Sequence, residues 1–345
     1  MCANVEYKEG IVDLTRDLSE LSDRLTVFMR QKLVHPDADI SNVTKMPGNA
    51  GFSFGFTVHI EESSKRYVLR VPPPNARRSG TADVLRQAKV ISTVSELGIP
   101  VPEIVYEGEE EVWFDSPYFI VEFLEGDTLG GDWGDSLSGK QIASMAIEAV
   151  DVLAKLHHLD WEKIVPSSGP PISLVDDVHR WDRFIDRTVD PKDLSLAPVV
   201  KKGLLERLPS EPNVGIFHGD FQWSNLFFDS DCNFKALIDW ELWGVGAILN
   251  DLGWFLLFVD REAWEHPQIT LAAPEPKVII DRYVHAYGED PGEINWYRAL
   301  AAYKFSIISS LNLYLHRTGK RPDQSWELRQ PSIHRLMERA LELLA

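Results

Sequence analysis

Only two of the 345 residues are cysteine, Cys2 and Cys232. Two cysteines build no disulfide framework, and a reducing cytosol is the default compartment for such a chain. A cytoplasmic protein is therefore expected. Neither cysteine sits in a nucleophile motif, and no G-x-S-x-G elbow occurs, so hydrolase and oxidoreductase readings find no support. Cations are also scarce: 35 Lys and Arg face 53 Asp and Glu, for a formal net charge of −18. Nucleic-acid surfaces are built from Lys and Arg, so nucleic acid is not an expected partner. The acidic balance suits a soluble protein and is compatible with a cationic substrate. No apolar run approaches the roughly 18 residues of a bilayer-crossing helix. The best is "LGWFLLFV", Leu252 to Val259. The acidic, polar start "MCANVEYKEG" does not read as a signal peptide, and no membrane partner is expected. Internal repeats and low-complexity tracts are absent.

What is present is a globular composition, 44% hydrophobic and 26% charged, long enough for two domains or one bilobal unit. Leu14, Leu18, Leu21, Leu25, Phe28 and Met29 recur at helical spacing. The period then changes to two. "GFSFGFTVHIEESSKRYVLRVPPP" predicts strand, polar turn, strand and a proline stop. A helix follows over about Thr81–Leu97, then strands at Ile104–Tyr106 and Pro117–Leu124. "EGDTLGGDWGDSLSG", from Glu125, reads as a linker. Beyond it "KQIASMAIEAVDVLAKLHHL" and later segments are helical, except for a hairpin in "NLFFDSDCNFKALIDW". The expected fold is α+β and bilobal. Residues 1–124 are expected to form a small antiparallel β-rich lobe, and residues 125–345 a larger helical lobe that contains the hairpin.

"GIFHGDFQWSNLFF", Gly215 to Phe228, places His218, Asp220 and Asn225 in an otherwise mostly apolar row, where polar groups cost free energy unless paired. Asp239 ends the next strand, in "ALIDWE". A hairpin returns its far end beside its start, so Asp239 is expected near Asp220 and Asn225. Two carboxylates and an amide oxygen suit Mg²⁺, which takes hard oxygen ligands and leaves room for phosphates. A carboxylate held off the metal can accept a proton from an alcohol.

"HGDFQWSN" followed by "IDWE" resembles the protein-kinase-like catalytic loop H-R-D-x-x-x-x-N and its D-F-G aspartate. Glycine after the histidine, and "DWE", look like the aminoglycoside phosphotransferase and choline kinase branch of small-molecule kinases. "YVLRVPPP" and "LGIPVPEIVYEGE" are similar to the kinase-like domains of the phosphotransferase enzyme family that are fused to acyl-CoA dehydrogenases and act on hydroxyacyl-CoAs. The resemblance covers most of the chain. It implies an Mg²⁺- and ATP-dependent transfer of phosphate to a hydroxyl of a small molecule, with GTP open as an alternative. Asp220 would be the catalytic base, Asn225 and Asp239 would bind Mg²⁺, and His218 would brace the loop. Asp251, in "NDLGW", would steady that loop from a helix.

The resemblance also places ATP in the small lobe. Gly51, Ser53 and Gly55 in "GNAGFSFGF" would let backbone approach phosphates. Arg70 stands where the kinase lysine belongs and can bind phosphate in a bidentate manner. Gln87 stands where its glutamate partner belongs. The backbone of Glu122 to Leu124 would meet adenine. Arg70 and Gln87 together motivate an alternative, a kinase-shaped metabolite- or nucleotide-binding protein with weak catalysis. "GDSLSGKQ", Gly134–Gln141, nearly matches a phosphate loop, but Gln141 replaces the Mg²⁺-binding hydroxyl and no clear strand feeds it. A helix start near Ser138 is expected instead. His157 and His158 are adjacent on a helix, lack a second pair at i, i+4, and read as structural. Candidate acceptor walls are His179–Arg187, the "ELWGVG" after Asp239, the helix through Tyr303 and Phe305, and Trp223. An aminoglycoside, a hydroxyacyl-CoA and another alcohol remain open as acceptors.

Overall fold

Asp17 caps the first helix, α1 (Leu18–Leu33): its Oδ1 accepts the N–H groups of Ser19 and Glu20 at 2.9 and 3.1 Å. These are donors that a helix start leaves without partners. The computed structural model describes residues 17–46, 52–73, 79–109, 111–129, 131–166, 168–266, 273–290 and 292–345. Leu14 and Gly51 lie outside the described residues. Leu21, Leu25, Phe28 and Met29, at helical spacing, are wholly buried. Phe28 lies among the rings of Tyr106, Trp113, Phe114 and Tyr118, with centroids 5.3 to 5.6 Å away. Such aromatic clusters add to the stabilisation from buried area alone.

The chain divides into two units, one of Met1–Gly126 with Lys235–Leu242, the other of Asp127–Phe234 with Trp243–Ala345. In the first, the strands are β1 (Asp39–Lys45), β2 (Phe52–Ile60), β3 (Ser63–Val71), β4 (Ile104–Gly108) and β5 (Tyr118–Glu122). Helix α2 (Val84–Glu96) precedes β4, and the short α3 (Glu111–Phe114) precedes β5. The sheet order is β1-β2-β3-β5-β4, antiparallel throughout. β1 carries little apolar pattern, and of its residues only Ile40 is buried. β3 alternates as a half-buried strand should. Tyr67, Leu69 and Val71 are buried in the core that also holds Leu21, Leu25 and Phe28, so Arg70 faces the other side of the sheet.

The second unit opens on β6 (Asp127–Thr128) and α4 (Gly131–Ser136), where the sequence reads as a linker. Then comes α5 (Gly139–His157), begun by a capping box: Ser138 Oγ accepts the Gln141 N–H at 3.3 Å and Gln141 Oε1 accepts the Ser138 N–H at 3.0 Å. The phosphate-loop-like string is thus a helix start. There follow α6 (Trp161–Ile164), α7 (Leu174–His179), α8 (Ala197–Glu206), β7 (Val214–Phe217), β8 (Leu226–Phe228) and β9 (Phe234–Leu237). β9 has its first residue in this unit and the rest in the other. The chain ends with β10 (Gly244–Ala247), α9 (Leu249–Val259), α10 (Pro276–Tyr287), α11 (Ile294–Arg317), α12 (Ser325–Arg329) and α13 (Ser332–Leu344).

The apolar run Leu252–Val259 is the body of α9, a core helix packed on α11. A Cβ at Gly253 would lie 2.7 Å from the carbonyl carbon and oxygen of Tyr297, so only glycine permits this approach. Among the described residues no helix is long and apolar enough to cross a membrane. Strand β10 pairs antiparallel with β7 and is buried along its length. The glycines of "ELWGVG" therefore serve a ladder inside the unit, where an acceptor wall was expected.

Candidate active site

β7 ends at Phe217 and the chain turns into the loop His218–Asn225 through Gly219, whose φ of 87° is a left-handed conformation natural to glycine. Asp251, in the first turn of α9 and wholly buried, holds this turn. Its Oδ2 accepts the His218 N–H at 2.6 Å and its Oδ1 the Gly219 N–H at 2.8 Å. A buried carboxylate needs such charge-assisted partners, and its place at a helix start adds the favourable end of the helix dipole. Behind it, His157 Nε2 lies 3.4 Å from Asp251 Oδ2, and His157 Nδ1 lies 2.7 Å from the Tyr283 hydroxyl. His157 is thereby accounted for without a metal. The buried His218 ring accepts the Asp220 N–H at its Nδ1, 3.3 Å away.

Asp220, half-buried, is held from three sides. Oδ1 accepts from Trp254 Nε1 and from Gln222 Nε2, each at 2.8 Å. Oδ2 accepts from Asn225 Nδ2 at 2.8 Å. Burial pushes this carboxyl above the ordinary aspartate range; the donors Gln222, Trp254 and Asn225, with His218 nearby, pull the other way. Asn225 Nδ2 also reaches the Asp220 carbonyl at 2.8 Å. Its amide therefore spends its donors on Asp220, and its Oδ1 makes no hydrogen bond among the described residues.

Trp254 was not legible as a site residue. The available signal was position: it lies three residues after Asp251 on the same helix, close to one turn, so both face one loop. Its ring packs on Phe305 and Phe258 at 5.6 and 5.8 Å, and Trp264 joins them at 5.5 Å from Phe305. Trp223, expected in the acceptor wall, is 5% exposed and packs on Phe255.

The remaining candidates lie in the first unit. Arg70 on β3 stands opposite Ser53 on β2, and its Nη1 donates to Ser53 Oγ at 3.0 Å. Its Nη2 donates to Asp239 Oδ1 at 3.1 Å and to Glu241 Oε2 at 3.2 Å. Gln87 is buried, but its amide donates to the Thr81 carbonyl at 3.0 Å and not to Arg70. Asp239 has a left-handed φ of 62°, which aspartate tolerates better than most residues. Glu122 ends β5 and pairs its side chain with Lys65, while Leu124 is half-buried just beyond.

Two sets of residues are thus assembled: His218, Asp220, Asn225 and Asp251 in one unit, Ser53, Arg70 and Asp239 in the other. Asn225 Oδ1 in one unit and the partly exposed Asp239 carboxylate in the other are each hard oxygens of the kind Mg²⁺ takes. Among the described residues no group of three or more His, Cys, Asp or Glu gathers as a metal cage.

Residues 47–301 match the model of the phosphotransferase enzyme family. The chain belongs to that family. The chain is also 23% identical over 354 residues to rat acyl-CoA dehydrogenase family member 11, covering 96% of the chain but 45% of the relative. It thus spans less than half the length of that curated relative. Its fold is protein-kinase-like. A putative aminoglycoside phosphotransferase from Ralstonia eutropha has a TM-score of 0.74 at 19% identity, covering 93% of this chain and 98% of that one. A mutant aminoglycoside phosphotransferase APH(4)-Ia, in ternary complex with AMP-PNP and hygromycin B, has a TM-score of 0.60 at 17% identity, covering 91% and 98%.

Proposed function

We propose that this phosphotransferase moves the γ-phosphoryl group of ATP to a hydroxyl of a small molecule, with Asp220 as the base. One observation carries the proposal: a carboxylate fixed by Trp254, Gln222 and Asn225, on a loop whose backbone is tied to Asp251. Oδ1 already has two donors and Oδ2 one, so Oδ2 has the spare capacity to receive the acceptor O–H. The acceptor oxygen bonds to the γ-phosphorus, the bond from that phosphorus to the β-phosphate oxygen breaks, and the proton goes to Asp220. Catalysis of this kind is chiefly positioning and charge stabilisation. Asn225 Oδ1 and Asp239 would hold Mg²⁺, which neutralises phosphate charge when bound. Arg70 would meet phosphate oxygens from β3, and the backbone around Glu122–Leu124 would meet the adenine. The neighbour bound to AMP-PNP supports a nucleotide co-substrate. Trp254, Phe258, Trp264 and Phe305 support an acceptor with an apolar part.

The test is release of ADP across a panel of alcohols. Asp220→Ala should lose about 10²- to 10⁴-fold in turnover while calorimetry finds nucleotide affinity unchanged. Wild-type turnover in that variant would remove the base. A second reading, a kinase-shaped binding protein, is favoured by Gln87, which spends its amide on Thr81. It predicts tight metabolite binding with no ADP release.

A further inference from the structure

Arg70 sits on the central strand of its sheet with 15% of its side chain exposed, and Glu241 is buried slightly more deeply, at 13%. A guanidinium at that depth needs fixed anions to keep its aim. The helix position expected to supply one holds Gln87, which is neutral and committed to the Thr81 carbonyl. Asp239 supplies one at 3.1 Å, but its side chain is 35% exposed, and the phosphotransferase reading assigns it to the metal. Glu241 supplies the other at 3.2 Å and has no such assignment. Both acids come from one turn. Between them Trp240 is buried, with its Nε1 donating to the Leu237 carbonyl at 2.9 Å, which leaves the two flanking acids on Arg70.

We infer that Glu241 is the positioning residue for Arg70, holding the guanidinium in place for the nucleotide phosphates once Asp239 turns to the metal. The acid supplied by a helix in protein kinases is here supplied by the turn that carries the metal aspartate. Movement of that turn moves the phosphate-binding cation with it. The inference rests on the proposed phosphotransferase function.

The test is a double-mutant cycle on the full chain, read by calorimetric binding of AMP-PNP with Mg²⁺. Glu241→Gln should weaken binding about 10- to 100-fold, the range for a lost charge-assisted hydrogen bond. In an Arg70→Met background the same change should cost no more than about twofold, because the Arg70–Glu241 bond is already gone. In steady-state kinetics KM for the nucleotide should rise and KM for the acceptor should stay put. Unchanged binding in Glu241→Gln overturns the inference, as does an equal loss in both backgrounds. Should Glu241→Gln fail to fold, Glu241→Asp is put through the same cycle. An intermediate loss confined to the Arg70 background supports the inference, and equal losses overturn it. If the wild type binds no nucleotide, the phosphotransferase reading falls and takes this inference with it. Binding by wild type with no effect of Glu241→Gln sinks the inference alone.

Discussion

Asp220 and Asp239 are both aspartates in short motifs, yet the two units hold them in opposite ways. Asp220 is surrounded by neutral donors, on a loop fastened to a buried carboxylate, and burial raises its pKa. Asp239 is partly open, sits on a left-handed turn and lies beside a guanidinium. The first environment suits a group that must take up a proton, because a raised pKa makes a carboxylate a stronger base. The second suits an oxygen ligand that accepts a cation. Neighbours, not residue type, separate the two proposed roles.

The sharpest way to split the pair is at Asp251, which serves only the Asp220 side. Asp251→Ala removes the carboxylate that accepts the buried His218 N–H and the half-buried Gly219 N–H and that lies beside the His157 ring. It should cost about 3–5 kcal/mol of stability by denaturant unfolding. Turnover should fall sharply while nucleotide affinity stays within about twofold; equal losses in both would show that the two sides are not separable. Next in size is Asp239→Asn. Mg²⁺-dependent tightening of nucleotide binding should drop about tenfold or more in calorimetry. Affinity measured without metal should change little, and an unaltered metal dependence would take Asp239 out of the metal site.

The smallest effect is expected at Trp254→Phe, which removes one donor from Asp220 Oδ1 and keeps an aromatic ring. That donor lowers the pKa of Asp220, so its loss should move the acid limb of the pH–rate profile to higher pH, with less than about a tenfold change in the plateau. The sign for stability runs against the sign for activity. A carboxyl whose pKa is raised on folding favours the fold while protonated. That contribution is complete below the ordinary aspartate pKa and is lost as pH rises through the raised value. Over the same window the base becomes available.

The long helices were legible because burial enforces their period: Leu21, Leu25, Phe28 and Met29 are read correctly from spacing alone. Strands β2, β3 and β5 were legible for the same reason at period two. Strand β1, β6 and α4 were not, since "DISNVTK" and the Gly- and Asp-rich stretch near residue 130 carry polar residues with no face to announce. In the loop, His218, Asp220 and Asn225 stood out because polar groups in apolar rows must be paired, whereas Asp251, on α9, was reached only through the family resemblance. Trp254 and Glu241 did not stand out. A tryptophan in an apolar helix looks like core, and a glutamate after "IDW" looks like surface. The roles proposed for them rest on the hydrogen bonds to Asp220 Oδ1 and from Arg70 Nη2, which no spacing rule encodes.

Gly253 lies between Asp251 and Trp254, where α9 presses against the backbone of Tyr297. One added methyl would have to push these helices apart, and the same helix carries both the anchor of the loop backbone and a donor to the proposed base. On the proposed function, the placement of Asp220 depends on the thickness of this seam, and widening it would detune every acceptor alike.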